Sequence, residues 1–140
     1  MNEPTGKYRF KRVMVIDDSQ MDRYVASYYI KKYSFAEEVI LKESAKSALE
    51  YLQSFANTPE NLPHYIFLDI RMPDLDGFGF LEEYGKLPEA TRKNCVILML
   101  SSSLNLEDHQ RAEKNKFVNR FLEKPLDKEK LEMLADIIFR

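Results

Sequence analysis

Five residues stand where apolar runs of this chain break off: Asp17 and Asp18 after Arg12 to Ile16, Asp69 after Tyr65 to Leu68, Ser101 after Val96 to Leu100, and Lys124 just past Phe117 to Leu122. If the runs are neighbouring strands, three carboxylates meet at one place. They then repel one another and raise one another's proton affinities unless a cation sits among them. Donors that are all oxygen suit Mg²⁺, and the chain has no His or Cys cluster to recruit zinc. Lys124 adds a mobile positive charge and Ser101 a hydroxyl. A metal, an ammonium and a hydroxyl around one carboxylate are what a phosphoryl group on that carboxylate requires during transfer. Asp69 is then a nucleophile that forms an acyl phosphate. Plainer roles also exist: a turn or capping aspartate, a solvated lysine at a strand end, and a serine that caps the next helix.

The elements must bring these residues together. Tyr65 to Asp69 is an apolar run with aromatic and β-branched members, and Ile70 to Gly77, rich in Pro, Asp and Gly, forces a turn, so Asp69 ends a buried strand. Arg12 to Ile16 reads as a first strand. Val25, Ala26, Tyr29, Ile30 and Tyr33 then recur on one side of a helix running from Ser19 to about Tyr33. Glu38 to Leu41 is a short second strand, and Ser44 caps a helix with Ala45, Ala48, Leu49, Leu52 and Phe55 on its inner stripe. Asn57 to Pro63 is a loop. Asp76 caps a third helix carrying Phe78, Leu81 and Tyr84 to Leu87, with Pro88 near its end. Val96 to Leu100 is the fourth strand. Asn105 to Asn115 is strongly polar, with Leu104, Leu106 and Ala112 as its only clear anchors, and makes at best a marginal helix. Phe117 to Leu122 contains the fifth strand. Asp127 caps a last helix whose inner face carries Leu131, Leu134, Ala135 and Ile138, with Met133 and Ile137 as a second apolar pair expected to point partly outward. Five strands alternating with five helices predict an α/β fold, a doubly wound parallel sheet with helices on both faces and right-handed crossovers. In such a sheet ligands bind at the carboxyl ends of the strands.

The chain has 140 residues, 44% of them hydrophobic and 31% charged, which suits one domain with one real core. Residues 1–9 read as a loose arm and 10–140 as the domain, with no output domain after it. A net charge of −2 argues against a broad nucleic-acid surface, so no direct DNA binding is expected. The single cysteine, Cys95, has no internal disulfide partner and reads as a small buried or rim residue. The absence of a signal-peptide-like start or a membrane-length apolar run predicts a cytoplasmic protein.

The blocks Val15-Ile16-Asp17-Asp18-Ser19, Leu68-Asp69-Ile70-Arg71-Met72-Pro73 with Asp76-Gly77, Leu100-Ser101, and Lys124-Pro125 together resemble the receiver domain of two-component response regulators. The resemblance covers the chain from about Arg12 onward, with all four blocks in the family's order. It implies the CheY-like, flavodoxin-like five-stranded sheet with strand order 2-1-3-4-5. It implies Asp69 as phosphoacceptor, Asp18 and Asp69 as direct Mg²⁺ ligands, Asp17 as a ligand through water, and the main-chain carbonyl of Arg71 as a further metal oxygen. Lys124 would pair with the phosphoryl group, Ser101 would be the switch hydroxyl and Phe121 the switch aromatic. The peptide before Pro125 is often cis in this family. Ser101 replaces the commoner threonine and Ser102 the usual alanine, while Phe117-Val118-Asn119 lacks the glycine often found before the fifth strand.

The resemblance implies a phosphorelay module that takes its phosphoryl group from a sensor histidine kinase or a phosphotransfer protein and signals through protein contacts. The downstream target is not legible. A phosphorylation-dependent dimer through the fourth helix, fifth strand and fifth helix belongs to the same expectation. Self-phosphorylation and self-dephosphorylation at Asp69 would be its only chemistry. One rival is a phosphatase of the haloacid-dehalogenase type, which also uses a strand-end aspartate and Mg²⁺; it needs a second Asp where this chain has Arg71, and a nucleophile on the first strand. The other is a receiver-like binding module that is never phosphorylated.

Overall fold

The computed structural model describes residues 7–102 and 105–137. The expected arm over residues 1–6, the anchor Leu104, the side chain of Ile137 and the inner-face Ile138 lie outside the described residues.

The strands are β1 (Phe10–Ile16), β2 (Ala36–Lys42), β3 (Tyr65–Leu68), β4 (Val96–Ser101) and β5 (Val118–Glu123), and the helices α1 (Gln20–Lys32), α2 (Ala45–Ser54), α3 (Gly77–Tyr84), α4 (Glu89–Arg92), α5 (Leu106–Lys114) and α6 (Lys128–Ile137). All strand pairs are parallel, in the order β2-β1-β3-β4-β5. This is the expected doubly wound sheet. Because side chains alternate along a strand, each strand feeds two cores. Met14, Ile16, Ile66, Leu68, Ile97 and Met99 pack with α2 and α3 on one face. Val13, Val15, Phe67, Leu98 and Leu100 pack with Ala26 and Ile30 of α1 and Leu131 and Leu134 of α6 on the other.

The caps follow the sequence closely. Ser19, Ser44 and Asp76 accept from the amides of Asp22, Ser47 and Gly79 at the starts of α1, α2 and α3, and Asp127 Oδ1 accepts from Lys130 N before α6. Strand ends differ more. β1 begins at Phe10, two residues before the expected Arg12, because Phe10 pairs with Ala36 and its ring meets Phe35 at 4.9 Å. Arg9, placed in the arm, already donates its amide to Ser34 O.

Two expectations need correction. The third helix stops at Tyr84, and a separate turn, α4, follows Pro88, pinned by buried Thr91 and by Tyr84 Oη donating to Arg92 O. Leu106 does not anchor α5: it is 69% exposed, and the inward positions are Asp108 and Ala112. Met133, of the second apolar pair, is half-buried against the α1–α6 core, in keeping with its partly outward placing. Among the described residues no helix is long and apolar enough to cross a membrane.

Candidate functional site

The carboxyl ends of β1, β3, β4 and β5 open a cleft of about 400 Å³ lined by Asp17, Asp18, Asp22, Asp69, Arg71, Ser101 and Lys124 among others. Sheet pairing sets the geometry. Asp17 N donates to Lys42 O, Asp69 N to Ile16 O and Lys124 N to Ser101 O, each at 3.0 Å, so the backbone carries the ladder one residue past the apolar strands and fixes the polar ends side by side. The turn after Asp69 is tight. Gly77 N donates to Ile70 O, and a Cβ on Gly77 would lie 2.5 Å from Asp69 O, so only glycine lets α3 start this close to the strand end.

Asp17 and Asp69 are buried and Asp18 is exposed. One oxygen from each of Asp17, Asp18 and Asp69 lies within 4.8 Å of the others. Three oxygens at that spacing fit a hard divalent cation of the Mg²⁺ type. Asp17 is further constrained: its Oδ1 accepts from Ser19 N at 3.0 Å, and Arg23 donates to its main-chain oxygen at 2.8 Å.

Lys124 is not the mobile, solvent-facing charge expected from its place in the sequence. Its side chain is 14% exposed, and Nζ lies 2.7 Å from Asp17 Oδ2, 2.7 Å from Asp22 Oδ2 and 3.4 Å from Asp69 Oδ1. Burial alone would lower its hold on its proton, but hydrogen bonds to Asp17 and Asp22 and the charges of Asp69 and Asp17 outweigh that and lift it above the usual lysine range. Asp69 shifts the other way from an ordinary aspartate. Burial and the neighbouring Asp17 charge push its carboxyl up to about 6, and Lys124 offsets only part of this. The peptide between Lys124 and Pro125 is cis.

Ser101 is buried at the end of β4 on the cleft wall. Phe121 is half-buried on β5, its ring centroid 4.0 Å from that of His109 on α5. The Arg71 side chain, exposed on the cleft rim, reaches Asp108 Oδ2 of α5 at 2.5 Å. Cys95 stands away from the cleft, where burial pushes its thiol up to about 12 and makes it a poor nucleophile.

Two functional candidates escaped the sequence reading. Asp22 had one signal, its position in the first turn after the cap Ser19, a register that can turn it toward the preceding strand end. Asp108 had only its i, i+4 spacing to Ala112.

Residues 13–136 match the family model described as the response regulator receiver domain. Protein PilG of Pseudomonas aeruginosa is 33% identical over 122 residues, which cover 86% of this chain and 81% of that protein. The histidine kinase CKI1 of Arabidopsis thaliana is 29% identical over 137 residues, 93% of this chain and 12% of the kinase. The crystal structure of a response regulator receiver protein from Dyadobacter fermentans superposes with a TM-score of 0.83 at 31% identity, covering 92% of this chain and 98% of that one.

Proposed function

The chain belongs to the response regulator receiver domain family, and on that premise we propose that Asp69 accepts a phosphoryl group from the phosphohistidine of a sensor histidine kinase or a phosphotransfer protein. The observation that carries this is the placing of Lys124 Nζ 3.4 Å from Asp69 Oδ1 beside the Asp17, Asp18 and Asp69 oxygens. With its carboxyl at about 6, Asp69 is mostly ionised at neutral pH and offers a lone pair. One carboxylate oxygen forms the O–P bond as the P–N bond of the donor breaks, and the P–N bonding pair leaves with the imidazole nitrogen. Asp18 and Asp69 would hold Mg²⁺ directly, with the Arg71 carbonyl as a further oxygen and Asp17 acting through water. When bound, the ion supplies positive charge against the phosphoryl oxygens. Lys124 pairs with one of those oxygens, and Ser101 donates its hydroxyl to another.

The output leaves through α5, β5 and α6, by contacts with other proteins in the cytoplasm, a second phosphorylated copy included. Arg71 supports this route, since its guanidinium lies on the cleft rim and its partner Asp108 lies on α5. New negative charge on Asp69 competes for Arg71 and loosens its hold on α5. Phe121, whose ring lies tilted against His109, would follow as that helix moves.

Incubation with acetyl phosphate and Mg²⁺ followed by intact-mass measurement tests the reading. One phosphoryl group is expected on the wild type and none on Asp69→Asn. An unmodified wild type that also fails to bind the stable mimic beryllofluoride would overturn it.

A further inference from the structure

Asp22 lies in the same cleft but has no part in the scheme above. It comes from α1, a helix that carries none of the three clustered carboxylates, and its Oδ2 lies as close to Lys124 Nζ, at 2.7 Å, as that of Asp17 does. Asp69 holds the weakest share of that ammonium, at 3.4 Å. We propose that Asp22 is a positioning residue that holds Lys124 back from Asp69, so that the phosphoryl group must displace a built-in competitor to win the ammonium.

This rests on the reading of Asp69 as phosphoacceptor. A lysine ammonium has three N–H donors. In the unmodified protein the three nearest acceptors are Asp17, Asp22 and Asp69, so no donor is left over for a fourth oxygen. A phosphoryl oxygen on Asp69 inherits only the weak third share, at 3.4 Å, and wins a close contact only if the ammonium moves away from Asp17 or Asp22. Asp17 is the harder one to move: it is buried, and its Oδ1 is fixed by the amide of Ser19. Asp22 is 40% exposed at its side chain, so water can replace Lys124 around it at little cost, and it is the one that lets go. Asp22 also keeps a negative charge on the cleft lining, which opposes the incoming phosphoryl oxygens in the same direction as the competition.

The plainer role for Asp22 is an acidic residue in the first turn of α1, favourable to the helix dipole. The two roles separate in measurement. In Asp22→Asn the shape is kept and the charge removed. The dissociation constant for beryllofluoride with Mg²⁺, followed by calorimetric titration, is expected to tighten by about 3- to 10-fold, as expected for loss of one partly exposed charge pair. Asp22→Glu should return toward the wild-type value. A crystal structure of the metal-free Asp22→Asn protein should place Lys124 Nζ closer to Asp69 Oδ1 than the 3.4 Å of the wild type. An unchanged dissociation constant overturns the inference. So does a tighter constant with Lys124 Nζ unmoved, which would leave only through-space repulsion. A wild type that binds no beryllofluoride at all instead overturns the phosphoacceptor reading itself.

Discussion

Replacing Asp69 by asparagine is expected to make the metal-free protein more stable, and the gain should depend on pH in a calculable way. The Asp69 carboxyl moves from 3.8 to about 6 on folding, driven first by burial and then by Asp17. An acid whose folded pKa lies above its unfolded one binds more protons in the folded state between the two values. Stability attached to it is therefore full below pH 4, falls as pH rises to about 6, and is gone above that. A shift of roughly two units at 1.36 kcal/mol each gives about 3 kcal/mol. The buried carboxylate forms part of the wall of a cleft that opens to solvent beside the exposed Asp18, and halving for solvent screening leaves about 1.5 kcal/mol. Asparagine keeps the shape, carries no charge to desolvate and no repulsion with Asp17, and does not titrate. In EDTA the difference between variant and wild type should be near zero at pH 4 and reach about 1.5 kcal/mol at pH 7.5, a rise of roughly 5 °C in Tm. Urea unfolding of both proteins across that range reads it out. Added Mg²⁺ should then narrow the gap, since an ion that binds only the folded wild type stabilises it by mass action. Equal midpoints at pH 7.5 in EDTA, or a less stable variant, would refute the electrostatic account of this cleft.

Lys124→Ala should destabilise the metal-free protein by about 1 to 3 kcal/mol at pH 7.5, because Asp17 and Asp69 remain buried without their shared cation; urea midpoints check this, and the loss should shrink toward pH 4 as Asp69 protonates. Arg71→Ala in the unmodified protein should raise hydrogen exchange across Leu106–Lys114 several-fold while leaving α2 and α3 unchanged, and in the wild type beryllofluoride should do the same. Protection of that segment unmoved by either change would reject the Arg71–Asp108 route.

What could be read from the residues follows from where apolar runs stop. Asp17, Asp69 and Ser101 were legible because a buried strand that ends in a polar group puts it at the sheet's carboxyl edge, whatever the rest of the chain does. Pairing across the sheet was not legible in the same way. Lys124 and Asp22 are 102 residues apart, and nothing local in either segment announces that α1 and the end of β5 meet. The same blindness made Lys124 look solvated. α4 was hidden by Pro88, which ends one helix but also suits the start of the next. Leu106 was misassigned because the only apolar side chains of a polar segment were taken as its inner face. The inward pair is Asp108 and Ala112, and Arg71 reaches that buried aspartate from another loop.

That exchange of an apolar anchor for an ionic one has a mechanical meaning. A buried leucine stabilises a helix by about 1.5 to 3 kcal/mol and is indifferent to charge elsewhere. Among its described inward positions α5 buries an alanine and an aspartate, and it is tied down by Arg71 to Asp108, by the Arg111 guanidinium 4.1 Å from the Phe78 ring, and by His109 against Phe121. An ion pair with one partner in solvent, or a cation–π contact, contributes roughly 0.5 to 1 kcal/mol. The first tether ends on the residue two places past Asp69, and the second ends on α3, whose first residue packs on the Asp69 carbonyl. On the proposed route, a helix held this way is the one expected to follow charge at Asp69, while α1, α2 and α3, seated on apolar stripes, are expected to stay where the core puts them.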